Sequence, residues 1–232
     1  MKHIRKNSCP HTYSNWVHSV SGTDEARWDE VPTAMKRSLL GTLISEQGWL
    51  CAYTMRRIEC TTSHIEHIKP QSRCRADLPG SDLDYRNLVA CFPADGMRKY
   101  YRYGAQKKGS WWQHNGAAFV SPLQAHCERR FLFDIAGRVS AVNDNSAAMT
   151  TIEVLGLDHK SLAEDRRRVI AEFLYGSNGS APLSLAKAQR ALQQICKAQK
   201  GHFYEFCVAI RDALAEYIRR LLRQRTGTLR TR

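Results

Sequence analysis

"SHIEHIKPQS", residues 63–72, packs two histidines and a glutamate into four positions and then breaks at Lys69-Pro70. Read as a strand, alternate residues share a face, so His64 and Glu66 point one way and Ile65 and His67 the other. Pro70 ends the strand, because it has no N–H to give to a ladder. A carboxylate and an imidazole at a strand end can divide two tasks between them. Glu66 would hold a divalent cation through oxygen, and His67 would take a proton from water. The groups must be distinct, since a metallated imidazole cannot also accept a proton. A hard cation such as Mg2+ accepts carboxylate and phosphate oxygens together, which suits phosphodiester hydrolysis. The plainer reading is a polar edge strand running into a turn, with His64 as a solvated strand histidine.

The rest of the chain narrows the choice. It has 232 residues, 43% of them hydrophobic, enough to bury a sizeable core. No run approaches the roughly 18 apolar residues that span a bilayer. The opening "MKHIRKNSCPHTYSNW" has no apolar stretch of the secretory kind, so a cytoplasmic location is expected. The formal net charge of +13 points to a polyanionic partner, nucleic acid first. A run from Lys99 to Trp112 interleaves basic and aromatic residues. Arg98, Lys99, Arg102, Lys107 and Lys108 are therefore candidates for gripping phosphate. Eight cysteines in a cytosolic setting argue against a disulfide framework. Cys196 and Cys207 fall on apolar helical faces as core thiols, whereas Cys51 and Cys91 flank the histidine cluster as candidate metal ligands.

The periodicities predict an α+β fold. Residues 1–30 read as irregular, with "KHIRK" a possible short strand. A helix starts at Pro32, carries Met35, Leu39, Leu40, Leu43 and Ile44, and ends at Gly48. "WLCAYTM" and "HIEHI" read as short strands, "QSRCRADLPGSDLD" as a loop, and "RFLFDIAGRVSAV" as a hairpin turning near Ala136-Gly137. Helices follow over 160–174, through Leu185, Leu192 and Ile195, and from about Phe203 to Leu222. The last carries an apolar seam of Phe203, Cys207, Ile210, Leu214, Tyr217 and Leu221, which serves either internal packing or a partner helix. Three segments result: 1–48, 49–142 and 143–232. The tail "RRLLRQRTGTLRTR" reads as a solvated end that could also grip phosphate or an acidic partner.

"IEHIKPQS" followed by "LDYRNLVAC" resembles the ββα-metal finger of HNH nucleases: an acid–histidine pair, a proline three residues on, and Asn-Leu-Val about twenty residues downstream. With "IEVLGLDHKSLAEDRR", residues 152–167, the chain looks like the PtuB-type nuclease subunits of Septu and of retrons that encode an ATPase with an HNH protein. The resemblance implies an HNH core over 49–142 between an N-terminal helical segment and a C-terminal helical lobe. By resemblance, Glu66 is a metal ligand, His67 the general base, and Asn87 the residue that braces the loop and orients that base. The third ligand falls on Asp95 or Gln106, with His64 as a further candidate. The implied metal is Mg2+, with Mn2+ or Zn2+ as alternatives. The family's cysteine pairs are broken here: "CAYT" replaces Cys-x-x-Cys, and "YGAQKKG" lacks the second pair. Cys51 and Cys91 are thus remnants of a lost structural zinc site. The implied partners are a PtuA-like ABC/SMC-type ATPase and a retron reverse transcriptase with its RNA–DNA product. The implied role is the toxic nuclease of an anti-phage complex, acting on DNA or transfer RNA. The rival expectation is a non-catalytic nucleic-acid-binding scaffold that kept the finger and lost the metal.

Overall fold

Two helices open the chain in the computed structural model, α1 over His11–Val20 and α2 over Thr33–Glu46. The structure describes residues 1–176, 179 and 181–230, the side chains of 98, 99 and 225–230 excepted. Helix α2 buries Leu39, Leu43 and Ile44, the face its spacing predicts. Helix α1 falls where the sequence reads as irregular. It buries only Tyr13 and Val20, too few to set a pattern, and is held from outside: the Tyr13 hydroxyl donates to the Leu83 carbonyl at 2.9 Å. "KHIRK" forms no strand.

Residues 49–62 also depart from expectation. "CAYT" closes into a tight turn, with the Met55 N–H on the Cys51 carbonyl (3.0 Å) and the Cys51 N–H on the Arg56 carbonyl (2.8 Å). Trp49 and Met55 take left-handed φ of 65° and 63°. The chain reverses too soon to propagate a ladder, and one bridge, Leu50 to Arg57, is all that forms there.

Strand β1 (His64–His67) pairs antiparallel with β2 (Leu88–Cys91), His64 opposite Cys91 and His67 opposite Leu88. All four residues of β2 are buried. The other edge of β2 is covered by the Gln47 side chain at the end of α2. Its Nε2 donates to the Ala90 carbonyl (2.9 Å), and its Oε1 accepts from the Ala90 N–H (2.7 Å). That amide stands in for a third strand and satisfies an edge that would otherwise be open. Between the strands, Gln71–Asp77 forms α3 where the sequence suggests a loop. Pro70 both stops β1 and precedes the helix, a position where its missing N–H costs nothing.

After β2 comes a 3-10 segment, Asp95–Tyr100, and then a four-residue helix, α4 (Ala105–Lys108), bracketed by Gly104 (φ 70°) and Gly109 (φ 52°). The predicted hairpin forms as β3 (Phe131–Phe133) and β4 (Val139–Ala141). Its turn glycine, Gly137 (φ 79°), sits against the backbone of Ala163 and Arg167, which leaves no room for a side chain. Arg166, fully buried, donates to the Gly137 carbonyl at 2.6 Å.

Helices α5 (Ser146–Leu155), α6 (Lys160–Tyr175), α7 (Leu185–Gln194) and α8 (Cys207–Arg230) complete the fold. Helix α8 starts four residues later than its seam suggests, because Phe206 is left-handed (φ 53°). Cys207, Ile210, Leu214 and Tyr217 are buried, and α8 packs on α6, α7 and β3. The seam is therefore used inside the molecule and does not form an open docking face. One hydrophobic core runs through all three sequence segments, from Met1 to Ile218. Among the described residues no helix is long and apolar enough to cross a membrane. The side chains of Arg98, Lys99, Arg225 and Arg230, and the whole of Arg232, lie outside what is described.

Candidate active site

His67 ends β1 and is only 4% exposed. Its Nε2 lies 2.9 Å from the Asp82 carbonyl oxygen. A carbonyl can only accept, so Nε2 carries the proton and Nδ1 keeps its lone pair. The amide nitrogen of Gln71, on the first turn of α3, is 3.5 Å from that Nδ1. Trp28 stands edge-on to the imidazole, centroids 4.9 Å apart. Burial pushes the His67 pKa below its ordinary value, against the raising effects of the Asp82 carbonyl and the Glu66 charge. The ring is thus a neutral imidazole of fixed tautomer, the state a general base needs.

The Asp82 segment is itself anchored. The Asp82 side chain is fully buried and accepts from the Trp28 N–H (3.0 Å) and from Arg75 Nε (2.7 Å). Asn87 holds the opposite side. Its Oδ1 accepts from the Lys69 N–H and its Nδ2 donates to the Lys69 carbonyl, both at 2.8 Å. The Ile68 N–H adds a bond to the Asn87 carbonyl (2.9 Å). These bonds continue the β1–β2 pairing through side chain and backbone, two residues beyond His67.

Glu66 and His64 share the other face of β1, as alternation requires. His64 Nε2 lies 3.8 Å from Glu66 Oε2, and His64 Nδ1 lies 2.5 Å from the Pro93 carbonyl. The closest cation is Lys108. Its Nζ is 2.8 Å from Glu66 Oε1 and 3.1 Å from the His67 carbonyl, and its side chain is 1% exposed. Burial raises the Glu66 pKa, but the hydrogen bond from His64 and the charge and hydrogen bond of Lys108 outweigh it, so the carboxyl is held below its ordinary range. Lys108, placed by its sequence neighbours among the phosphate-gripping residues, is instead the buried counter-ion of Glu66.

A divalent cation does not fit this arrangement. An ion on the Glu66 carboxylate would lie within roughly 4 Å of the Lys108 ammonium, a repulsion of about 8 kcal/mol at an effective dielectric of 20. Mg2+ also demands near-octahedral oxygen coordination. Among the described residues no three histidine, cysteine, aspartate or glutamate side chains converge to hold a metal. Asp95 and Gln106 are exposed, Asp95 on the 3-10 segment and Gln106 on the outer side of α4. The helix turn that reaches Glu66 presents Lys108.

Cys51, Thr54 and Cys91 meet behind β2. Burial pushes the Cys51 thiol up, but hydrogen bonds from Cys91, Thr54 and the Phe92 amide outweigh it and bring the pKa down to about 6. Burial and the same thiol pairing push Cys91 well up. Thr54 thus supplies a hydroxyl where a third thiolate would be needed. Cys60 is exposed, and Cys74 donates to the Lys69 carbonyl (3.4 Å) beneath Asn87. Two thiols and a hydroxyl do not make a tetrahedral zinc site. Of the basic candidates, Arg102 and Lys107 are exposed.

Three contributors were not legible as site residues. Asp82 acts on His67 through its backbone carbonyl, which leaves no side-chain signature. Trp28 comes from a distant segment. Gln71 could have been flagged only by knowing that Pro70 opens a helix, which puts position 71 one turn from His67.

No family model matches the chain. It is 27% identical over 147 residues to "Retron Vc95 putative HNH endonuclease" of Vibrio cholerae serotype O1 biovar El Tor; the match takes in 61% of this chain and 67% of that protein. This likeness supports a nuclease of the HNH class and a retron context at that coarse level.

Proposed function

We propose that this chain is an HNH-type nuclease that hydrolyses phosphodiester bonds of nucleic acid, with His67 as general base. The observation that carries the reading is the His67 imidazole, whose Nε2–H is committed to the Asp82 carbonyl so that Nδ1, against the Gln71 amide, is the basic atom. The likeness to the retron protein supports the same class. A water taking the place of the Gln71 amide would sit within reach of Nδ1 and pass its proton there. Access requires Gln71 to swing aside, since His67 is nearly covered. Asn87 holds the segment after His67 and so fixes the base relative to β2.

The biological setting follows the resemblance: the toxic effector of an anti-phage complex, held by a PtuA-like ATPase and, in a retron, by a reverse transcriptase with its RNA–DNA product. Substrate phosphates would be gripped by the exposed Arg102 and Lys107 and their neighbours. A second reading is favoured by one observation, Lys108 seated on Glu66: a scaffold that binds nucleic acid without cutting it. Incubating the purified protein, alone and with its ATPase, with labelled DNA and transfer RNA separates the two. Product strands with discrete ends support the nuclease. Binding without any cleavage, with the partner present, supports the scaffold.

A further inference from the structure

We infer that Lys108 is the resident cation of Glu66, so that its ammonium and a divalent metal ion compete for the same carboxylate and the chain in this conformation does not load a metal there. The inference rests on the nuclease reading only in naming a divalent ion as the competitor; the contacts themselves are independent of it.

The ammonium donates to the Glu66 carboxylate at 2.8 Å and to the His67 backbone carbonyl at 3.1 Å, in a position closed to water. A buried ammonium is stable only when it is paired. Conversely, Glu66 is nearly buried and needs a cation. His64 lies against its other oxygen at 3.8 Å and is tied to the Pro93 carbonyl. Lys108 and Glu66 therefore neutralise each other, and a dication arriving at the carboxylate meets an ammonium, with no three metal-binding side chains converging among the described residues to receive it. Loading a metal means moving Lys108. The means to move it is present: Lys108 is the last residue of α4, a single turn between Gly104 and Gly109, both at positive φ. A Cβ at Gly109 would meet open space, so that side of the turn is not packed. Lys107, on the same turn, is exposed to any phosphate that approaches.

Mn2+ is the probe, because its binding is read by electron paramagnetic resonance without reference to activity. Wild type should leave Mn2+ free through the millimolar range. Lys108→Met should bind one Mn2+ about tenfold more tightly or better, as removal of a like charge at contact distance requires. The double variant Glu66→Gln/Lys108→Met, a neutral pair of similar shape, should lose that site again. Lys108→Met strands a buried carboxylate, so its folding is checked against the double variant. If it does not fold, wild type decides by thermal unfolding, since an ion that binds the native state raises Tm. No rise with Mn2+ supports the competition. A saturable Mn2+ site in wild type that Glu66→Gln abolishes overturns it. So does a Lys108→Met protein, folded, with no gain in Mn2+ affinity. None of these results bears on whether His67 is a base, which cleavage assays alone decide.

Discussion

Asn87→Ala removes the clamp that ties the end of β1 to the start of β2. A long bond from Nδ2 to the Cys74 sulfur (3.4 Å) is lost, and with it the two neutral bonds to Lys69, one to its N–H and one to its carbonyl, both at 2.8 Å. Each contributes about 1 kcal/mol net, and a donor left without a partner away from bulk water costs about 1–3 kcal/mol more. The carbonyl keeps the Cys74 thiol as a donor at 3.4 Å, while the half-buried N–H keeps nothing that the structure provides. The expected loss is therefore about 2–4 kcal/mol of unfolding free energy. Asn87→Asp keeps an acceptor for the N–H but sets an anionic oxygen against the Lys69 carbonyl where the donor was, so its loss should be no smaller than that of Asn87→Ala. Urea titration gives both, with the transition midpoint as readout and the m-value as check that the denatured state is unchanged. Cleavage should fall further than the folded fraction explains, since Lys69 lies two residues from His67. A loss for Asn87→Ala under roughly 0.5 kcal/mol, within the range of ordinary surface substitutions, would refute the reasoning.

Three further outcomes are expected. Burial lowers the His67 pKa from 6.5, so the neutral base persists below that pH; the acidic limb of the cleavage profile should lie under 6.5, and a limb above it contradicts the buried imidazole. The same sign holds for stability, where the contribution of neutral His67 is present above the unfolded value and lost as pH falls through the lowered one. The purified protein should carry substoichiometric zinc by elemental analysis, because Thr54 gives Cys51 and Cys91 a hydroxyl neighbour; one tightly held zinc per chain would contradict this. Replacing exposed Arg102 and Lys107 by glutamine should flatten the salt dependence of nucleic-acid binding by a log–log slope of about 2 for duplex, and an unchanged slope removes both from the interface.

How far the sequence could be read depended on where the determining contacts lie. The 131–141 hairpin and helices α2, α6, α7 and α8 follow from local periodicity, and β1 from its alternation and the stop at Pro70, whereas β2 is four buried residues in a row with no alternation to read. Opposite facing of Glu66 and His67 follows from the strand period alone. Helix α1, by contrast, has two buried residues and owes its place to Tyr13 bonding across to Leu83. "CAYT" has strand-like composition, yet a turn bond between Met55 and Cys51 overrides it. The identity of Lys108 as a buried partner of Glu66 was beyond reach, since lysines in a basic run ordinarily face water. Here a four-residue helix between two glycines turns one of them inward.

The most direct measurement is the single-turnover rate of nucleic-acid cleavage by wild type and by His67→Ala, each verified as folded and assayed with the partner ATPase. A general base contributes on the order of 100- to 10,000-fold. His67→Ala should lose at least the lower figure while still binding substrate. Cleavage by His67→Ala at the wild-type rate would contradict the account at its centre.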